Sequence, residues 1–453
     1  MKPGLVTLMV VGLFYLMSNC SSDLGVFSDT PDAFQVKAPQ APDVNDARFD
    51  IASPTYSIIG NEFTPDQKDI LIEVQGPNDV AEIQAWVADT SFDLPSTDPG
   101  VFSGPITLGP EVGTQKVLLA QPDEEQAFAV IEIIRTHPLY VLVTDDWDDA
   151  YVTLDQFDLQ ADLEANHSDV RFTHLVGPDL FTASHADEDE SYEIQDSDRQ
   201  SHISWLSRSQ SLGHEVGLHI HPWCSFVETA GINCRTDNSY FYENPDINQN
   251  GKTTILESYT QAELETMIAK ADELFIENNL GKPVSFRAGG WTGGIKTLTA
   301  LQNQGYLVDS SAVNWGRSVG KTSSFWIDLL MQTWNAIADI SQPYFPGLML
   351  IDTQSEPSLE LLQLPNNANF VEYVDTAEMI DIFKQHWQPG QTIDVPKAYT
   401  VGYHMTPYPT QENGYIDRLD GLLDHTDQFQ SQHDGGPVIY ATMKDMVKVW
   451  QKK

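Results

Sequence analysis

The sequence YVLVTDDWDD, residues 140–149, joins a short apolar run to four carboxylates. The apolar part predicts a buried β-strand, and the acidic part is expected to follow the carboxyl end of that strand. Carboxylates so close to a buried strand are costly unless a cation or a proton-transfer role balances their charge. For this segment taken alone, a solvated acidic turn is the alternative.

From Pro138 onward, strand-like apolar runs alternate with helical segments, which is typical of a mostly parallel sheet or barrel. The clearest helix begins after Thr260, which is expected to form a capping box with Glu263, and ends at Gly281. The span 314–360 lacks this alternation and is expected to arch over one face. The candidate strands are Tyr140–Val143, Phe172–Val176, Glu215–Ile220, Val284–Phe286, Leu307–Asp309, Leu361–Leu364, Tyr399–Tyr403 and Val438–Tyr440.

The N-terminal part has a different organisation. Residues 46–135 contain short β-prone runs separated by Pro, Gly, Asp and Asn, and no helix of convincing length. We predict a small β-sandwich accessory domain of immunoglobulin-like type, without a catalytic constellation of its own. The barrel is then expected to occupy residues 136–453.

Residues 1–20 are predicted to be a lipoprotein signal peptide. The apolar run at 5–17 is shorter than a bilayer span, and LMSNC at 16–20 looks like a bacterial lipobox whose Cys20 would carry the lipid. Ordinary signal-peptidase cleavage nearby is the alternative. Lipidation at Cys20 and ordinary cleavage both imply export. Lipidation also predicts a membrane-anchored lipoprotein, periplasmic or at the cell surface. Residues 21–45, rich in Asp, Pro and Ser, are expected to be a flexible tether.

Composition narrows the function classes. With 24 basic and 66 acidic residues, the chain carries a formal net charge of -42, which disfavours nucleic acid and anionic membranes as partners. No nucleotide-binding loop or G-x-S-x-G motif is present, which argues against nucleotide-dependent and serine-hydrolase chemistry. Cys224 and Cys234 are predicted to form a disulfide, with two free thiols as the alternative. The sequence indicates no oligomeric state.

A second polar strand end complements the acidic one. His219 and His221 are two residues apart on a predicted strand, so their side chains share a face and can chelate one ion. Imidazole together with carboxylate suits zinc or a similar first-row divalent metal. The two strand ends together therefore predict a metal site more strongly than either does alone.

These motifs, in their order, resemble those of the polysaccharide deacetylases. The matching segments are Asp145-Asp146, His219–Pro222, Phe286–Trp291, Asp309–Ser311 and Tyr403-His404, and the similarity covers about Pro138 to Trp450. That family, of carbohydrate esterase type, carries the nodulation-protein-B homology domain. The resemblance implies an α/β fold class, with a distorted (β/α) barrel preceded here by the β-sandwich.

The resemblance also implies roles for individual residues. Asp146, His219 and His221 would be the metal ligands. The catalytic residues would be Asp145 as general base, Arg287 as the partner of the base carboxylate, His404 as general acid and Asp309 as the residue that orients His404. For Arg287 the alternative is a structural salt bridge, and for His404 a buried, hydrogen-bonded histidine.

Departures from the family pattern leave two alternatives open. Thr144 stands where the family usually has an aromatic residue, so Asp146 and Asp148 could be the working pair of carboxylates instead. The two histidines are two residues apart where the family has four, so His214 is a further candidate ligand.

A structural calcium site is a separate prediction. The stretch DINQNG at 246–251, with a glutamate at loop position twelve, fits a calcium-loop pattern. Its side-chain ligands would be Asp246, Asn248, Asn250 and Glu257. An Asn/Gly-rich surface turn is the alternative.

The predicted function is hydrolytic removal of acetyl groups from an extracytoplasmic polysaccharide, as amide or ester, by a metal-dependent deacetylase. One alternative is a catalytically inactive, glycan-binding surface lipoprotein. The other is a hydrolase of the same fold that acts on a non-sugar amide.

Overall fold

The computed structural model describes residues 37–150, 152, 154–182, 194–242, 250–405 and 414–452. The predicted signal peptide, most of the predicted tether, and Asp246 and Asn248 of the predicted calcium loop lie outside these ranges. No helix within them is long and apolar enough to cross a bilayer.

Two mostly antiparallel sheets occupy the N-terminal part of the described chain. Their strands are β1 (Asp50–Ala52), β2 (Tyr56–Ile58), β3 (Asp69–Gln75), β4 (Ile83–Val87), β5 (Thr90–Leu94), β6 (Ser96–Asp98), β7 (Val101–Thr107), β8 (Gly113–Ala120) and β9 (Ala129–Thr136). The strand orders are β1-β3-β7-β6 and β2-β9-β8-β4-β5. Along β3, Ile70, Ile72 and Val74 are buried in alternation and share a core with Leu119 and Ile133 of the other sheet. The predicted β-sandwich is confirmed.

A parallel sheet follows the sandwich. Its strands are β10 (Leu139–Trp147), β11 (Phe172–Val176), β12 (Glu215–Ile220), β13 (Ser285–Ala288), β14 (Val308–Asp309), β15 (Leu362–Gln363), β16 (Lys397–His404) and β17 (Val438–Tyr440). In the described ranges the order is β15-β14-β13-β12-β11-β10-β16, and β17 lies beside the first residues of β10. The segment 366–371 bonds to Ala312 on one side and to Gly402 on the other, so it joins the two ends of the curled sheet. The predicted α/β barrel class is confirmed.

Helices alternate with these strands. They are α1 (Leu154–Asn166), α2 (Asp179–Thr182), α3 (Asp196–Ser211), α4 (Cys224–Thr229), α5 (Gln261–Glu277), α6 (Ile295–Asn303), α7 (Ser324–Thr333), α8 (Thr376–His386), α9 (Gly414–Asp427) and α10 (Met443–Val449). The predicted capping box of Thr260 and Glu263 begins α5. The helix ends earlier than Gly281, because Asn279 takes the left-handed conformation (φ 61°) and Leu280 N–H bonds back to Phe275.

Strand β10 is longer than its apolar residues indicate. It continues through Asp145 and Asp146 to Trp147, because β11 and β16 pair with it on both sides as far as these residues. The backbone groups of the acidic residues are therefore satisfied within the sheet. The acidic segment begins as part of the strand, whereas the sequence analysis placed it after the strand's carboxyl end. This difference decides which way each carboxylate points.

The span 314–360 lies partly over the carboxyl ends of the strands. Helix α7 belongs to it, and the indole of Trp326 on this helix donates to the carbonyl of Gly290 at 2.9 Å. The indole of Trp334 donates to the carbonyl of Trp291 at the same distance. These bonds fasten the span to the turn after β13, so it covers one side of the barrel mouth.

The sandwich packs directly on the barrel. Described residues from Ala38 onward form one compact unit. The hydroxyl of Tyr140 lies 2.7 Å from both Asn61 Nδ2 and Thr64 Oγ1, and the amide of Gly390 donates to the Tyr56 hydroxyl at 2.9 Å. The boundary predicted between residues 135 and 136 falls at the end of β9, and the division into separate domains stays a prediction.

Candidate active site

A pocket at the carboxyl ends of the barrel strands brings together carboxylates, imidazoles and aromatic rings. This is the face on which parallel barrels build their sites, because the loops that follow the strands converge there. The lining residues are Asp146, Asp148, His219, His221, Tyr242, Gly290, Trp291, Trp326, Tyr373 and His404.

The pleat of β10 divides its carboxylates between two faces. Asp146 and Asp148, two residues apart, face the pocket. Asp145 points the other way, where its carboxylate accepts a hydrogen bond from the indole of Trp147 at 2.8 Å and lies 2.7 Å from His174 Nδ1. The expectation that Asp145 is the general base is therefore wrong, because its side chain is buried on the far side of the sheet. The carboxylates of β10 and its following turn that line the pocket are those of the alternative pair, Asp146 and Asp148.

Asp148 completes a ligand set with the two histidines. Its Oδ1 lies 3.2 Å from His219 Nε2 and 3.3 Å from His221 Nε2, and one ligand atom from each of the three residues lies within 4.8 Å of the others. Asp146 is farther from His219, at 3.8 Å, and does not join this set. The predicted histidine pair is brought together as expected, with Asp148 as its nearest carboxylate. Asp146, the predicted carboxylate ligand, belongs instead to a second group that could hold an ion, together with Asp148 and His404.

His214 does not reach the pocket. It precedes β12, at the opposite end of that strand from His219 and His221, and its Nδ1 accepts the backbone N–H of Phe172 at 3.1 Å. Burial lowers the pKa of His214 to about 3, so its ring is neutral and acts as an acceptor. It is a structural residue and no ligand.

Backbone carbonyls orient both pocket imidazoles. His219 Nδ1 lies 3.0 Å from the carbonyl oxygen of Arg287, and His221 Nδ1 lies 2.8 Å from that of Lys252. A carbonyl oxygen can only accept, so each Nδ1 carries the hydrogen and each Nε2 turns toward Asp148. Metal-binding histidines are held in this way, with one nitrogen donating to the protein and the other free for the ion.

The electrostatics of the set suit a cation. Burial alone would raise the pKa of Asp148, but His221 and His404 beside it hold that pKa well below its usual value. For His221, burial opposes protonation, yet Asp148 raises its pKa. A divalent ion would balance the carboxylate charge here, and its ligands would be one carboxylate and two imidazoles.

Arg287 holds the second pocket carboxylate. Its Nη1 donates to Asp146 Oδ1 at 2.7 Å, and both side chains are almost completely buried. Two further bonds run from the guanidinium to the carbonyl and hydroxyl of Ser310, at 3.1 and 3.0 Å. The guanidinium thus supplies the counter-charge that a buried carboxylate needs and fixes its orientation.

His404 is oriented by Glu372, a residue that the sequence analysis missed. His404 Nδ1 lies 3.1 Å from Glu372 Oε1, and Nε2 lies 3.8 Å from Asp148 Oδ2. Burial would lower the pKa of His404, but Asp148 and Glu372 raise it to about 9. The imidazole is therefore protonated at neutral pH and can give a proton away. Nothing in the sequence marks Glu372, because it follows the irregular segment that joins the ends of the sheet.

The prediction that Asp309 orients His404 is wrong. Asp309 accepts bonds from the amide and hydroxyl of Ser311, at 3.1 and 2.6 Å. Its neighbour Ser310 faces Arg287, so Asp309 points to the opposite side of the short strand β14. Burial raises the pKa of Asp309 to about 6.

Aromatic rings form the apolar wall of the pocket. Trp326 stacks between Trp291 and Tyr242, with ring centroids 5.6 and 5.7 Å away and interplanar angles of 19° and 29°. Trp291 also packs edge-on against Phe370, whose ring in turn contacts His404. The wall gives the charged groups a low-dielectric surrounding, which strengthens their interactions.

The remaining candidate residues lie in the loops beside the pocket. Cys224 and Cys234 form the predicted disulfide. In the predicted calcium loop, Asn250 Oδ1 accepts the amide of Lys252, and the Glu257 carboxylate accepts the amide and hydroxyl of Thr297 in the first turn of α6. Since Asp246 and Asn248 lie outside the described residues, the calcium site stays a prediction.

No protein-family model matches the chain, and no curated protein matches its sequence. Among solved structures, the chain is similar to a family 4 carbohydrate esterase from Streptomyces lividans, with 8% identity and a TM-score of 0.34 over 70% of this chain and 100% of that one. It is also similar to the peptidoglycan deacetylase PdaC from Bacillus subtilis, with 11% identity and a TM-score of 0.33 over 69% of this chain and 91% of that one. A Parabacteroides distasonis protein assigned as a glycoside hydrolase/deacetylase matches with 10% identity and a TM-score of 0.43 over 70% of this chain and 71% of that one.

Proposed function

We propose that this protein is a metal-dependent deacetylase of the polysaccharide deacetylase family. The observation that supports it most is the convergence of Asp148, His219 and His221 on one point, with the Asp146–Arg287 and His404–Glu372 pairs beside it. A ligand set, a second carboxylate and a protonated histidine are the groups that metal-assisted hydrolysis of an acyl bond requires.

Each group has a place in the reaction. Asp148, His219 and His221 would hold the ion, which when bound acts as a Lewis acid toward the acetyl carbonyl. Asp146 takes a proton from the attacking water as the water oxygen bonds to the carbonyl carbon. When the C–N or C–O bond breaks, His404 gives its proton to the leaving nitrogen or oxygen. The products are acetate and a free amine or hydroxyl.

The supporting residues keep these groups in position. Arg287 holds Asp146 through a buried bond of 2.7 Å, and Glu372 holds His404 so that Nε2 faces the pocket. We propose zinc or another first-row divalent ion, because two imidazoles and a carboxylate are the ligands that such ions prefer. We propose an acetylated polysaccharide as substrate, because the ordered motifs of this chain resemble those of the polysaccharide deacetylases. The net charge of -42 disfavours polyanions such as nucleic acid.

Acetate release tests the proposal. The purified protein, loaded with zinc or cobalt, would be incubated with acetylated chitooligomers, peptidoglycan and acetylated xylan. We expect acetate from at least one of them, and a loss of about 10²–10⁴-fold in kcat for His404→Ala, the range typical of a removed general acid. His433→Ala is the matched control, because that histidine is exposed and bonds only to Asp169 among described residues outside its own turn.

Other outcomes would favour the alternatives. Glycan binding without acetate release, in protein that takes up no ion, would indicate an inactive glycan-binding protein. Hydrolysis of simple acetamides with no release from any glycan would indicate a non-sugar amide as substrate. Activity that is unchanged in His404→Ala would contradict the mechanism.

We also propose export and attachment through lipid on Cys20. The Cys224–Cys234 disulfide is in keeping with an oxidising compartment outside the cytoplasm. In a bacterial host, the wild-type protein should label with radioactive palmitate and sediment with membranes, whereas Cys20→Ser should do neither. Unlabelled wild-type protein in the soluble fraction would contradict the anchor.

A further inference from the structure

Lys252 lies behind the proposed metal site and contacts both segments that carry its ligands. Its Nζ lies 2.7 Å from Asp149 Oδ1, directly after Asp148 in the chain, and both side chains are largely buried. Its carbonyl oxygen accepts the Nδ1–H of His221 at 2.8 Å. One residue therefore connects the turn after β10 to the last histidine of the ligand set.

Neighbouring contacts make this connection rigid. The indole of Trp223, two residues after His221, donates to the carbonyl of Asp148 at 2.9 Å, and the Lys252 ammonium lies 5.5 Å from the centre of that ring. Both the ammonium and the indole thus join the same two segments. Their removal would leave the turn after β10 attached to this side of the site by fewer bonds.

The loop closed by the Cys224–Cys234 disulfide packs against the residues that precede Lys252. The amide of Cys224 donates to the carbonyl of Asn250 at 2.8 Å. Gly251 has φ of +90°, and a Cβ there would lie 3.1 Å from Cys234 Sγ and 2.3 Å from the carbonyl oxygen of Pro222. Only glycine permits so close an approach, so the chain directly before Lys252 is seated against the disulfide.

We propose that Lys252 is a positioning residue that sets the spacing between Asp148 and His221. This inference rests on the proposed function, because it concerns the same ion. The ammonium balances Asp149, which would otherwise stand as an unpaired, largely buried carboxylate next to the ligand Asp148. With that charge balanced, the turn after β10 can hold Asp148 close to both imidazoles. The carbonyl of the same residue fixes the ring of His221.

Metal affinity tests this role without relying on activity. Metal-free wild-type protein and its Lys252→Met variant would be titrated with Co²⁺, followed by visible absorption, and with Zn²⁺ in competition with a chromophoric chelator. The variant keeps the carbonyl and the length of the stem but loses the ammonium. We expect its affinity to fall about 10–100-fold, as for other outer partners of metal ligands, with a changed cobalt spectrum.

Conservative and matched variants complete the experiment. Lys252→Arg keeps the charge and should bind within a few-fold of wild type, whereas Asp149→Asn should weaken binding as Lys252→Met does. Lys282→Met is the control, because that lysine pairs with Asp272 at 2.9 Å, away from the pocket. It should bind cobalt as wild type does.

The two possible failures are distinguishable. Wild-type affinity and spectrum in Lys252→Met, or an equal loss in Lys282→Met, would overturn the positioning role and leave the proposed function standing. A wild-type protein that takes up neither cation would overturn the proposed function itself.

Discussion

Removing the buried guanidinium of Arg287 is a demanding test of the pocket. Both members of the Arg287–Asp146 pair are almost fully buried, and the guanidinium also bonds to the carbonyl and hydroxyl of Ser310. Arg287→Met removes the guanidinium that balances the buried charge of Asp146. Breaking such a pair from one side costs about 3–5 kcal/mol, so we expect a loss of that size in the free energy of unfolding.

A second substitution, at Asp146, separates the cost of the unbalanced charge from the cost of the other contacts that Arg287 makes. In Arg287→Met/Asp146→Asn the unbalanced charge is gone, and the remaining cost comes from the unpaired groups of Ser310, about 1–3 kcal/mol. We therefore expect the double variant to be more stable than Arg287→Met, by about 2 kcal/mol.

Urea unfolding followed by tryptophan fluorescence measures these differences, with a chelator present so that bound cations contribute nothing. Arg48→Met is the matched control, because the Arg48–Asp46 pair lies on the surface and its loss should leave the free energy of unfolding nearly unchanged. A double variant no more stable than Arg287→Met would refute the claim that Asp146 depends on Arg287 for its charge balance.

Three further predictions concern other parts of the fold. Replacing Cys224 and Cys234 by serine should lower the free energy of unfolding by about 2–3 kcal/mol, the loop-closure entropy of a short loop, as measured by urea titration. Burial lowers the pKa of His386 to about 4, so between about pH 4 and 6.5 the unfolded chain binds a proton that the folded chain does not. The free energy of unfolding should therefore fall as the pH falls through this window. His386→Gln should flatten this part of the plot of unfolding free energy against pH. Asp145→Asn should lower thermal stability by disturbing the bonds to Trp147 and His174, yet leave zinc affinity unchanged; a tenfold weaker affinity would contradict the placement of Asp145 outside the pocket.

Local patterns predicted much of the barrel. Strands β11, β12 and β17 match their predicted bounds residue for residue, and the capping box of α5 is present. Such features depend on residues that are close in sequence, through side-chain periodicity and the bonds of a helix terminus. The pairing of His219 with His221 belongs to the same class, because two positions on one strand fix their shared face.

The choice of carboxylate could not be settled in the same way. Whether Asp145 or Asp146 faces the pocket depends on how far β10 continues, and that depends on pairing with β11 and β16, up to 258 residues away in the chain. Once the strand includes both residues, its period of two directs Asp146 and Asp148 inward and Asp145 outward. The family motif predicted adjacent carboxylates, and the pleat of this strand selects alternate ones.

The partner of His404 depended on tertiary structure as well. Glu372 reaches the pocket because the segment 366–371 joins the ends of the sheet, a connection that has no strand pattern in the sequence. Asp309 had the expected sequence position but lies on the other face of a strand only two residues long. Neither outcome follows from residue type or spacing.

Zinc binding by two asparagine variants tests the central claim most directly. Isothermal titration of metal-free wild-type protein should give one zinc ion per chain at the Asp148–His219–His221 set. Asp148→Asn should weaken that binding by more than the roughly 100-fold that an outer partner contributes, whereas Asp146→Asn should stay within a few-fold of wild type. Loss of binding in Asp146→Asn with wild-type affinity in Asp148→Asn would contradict the site described here.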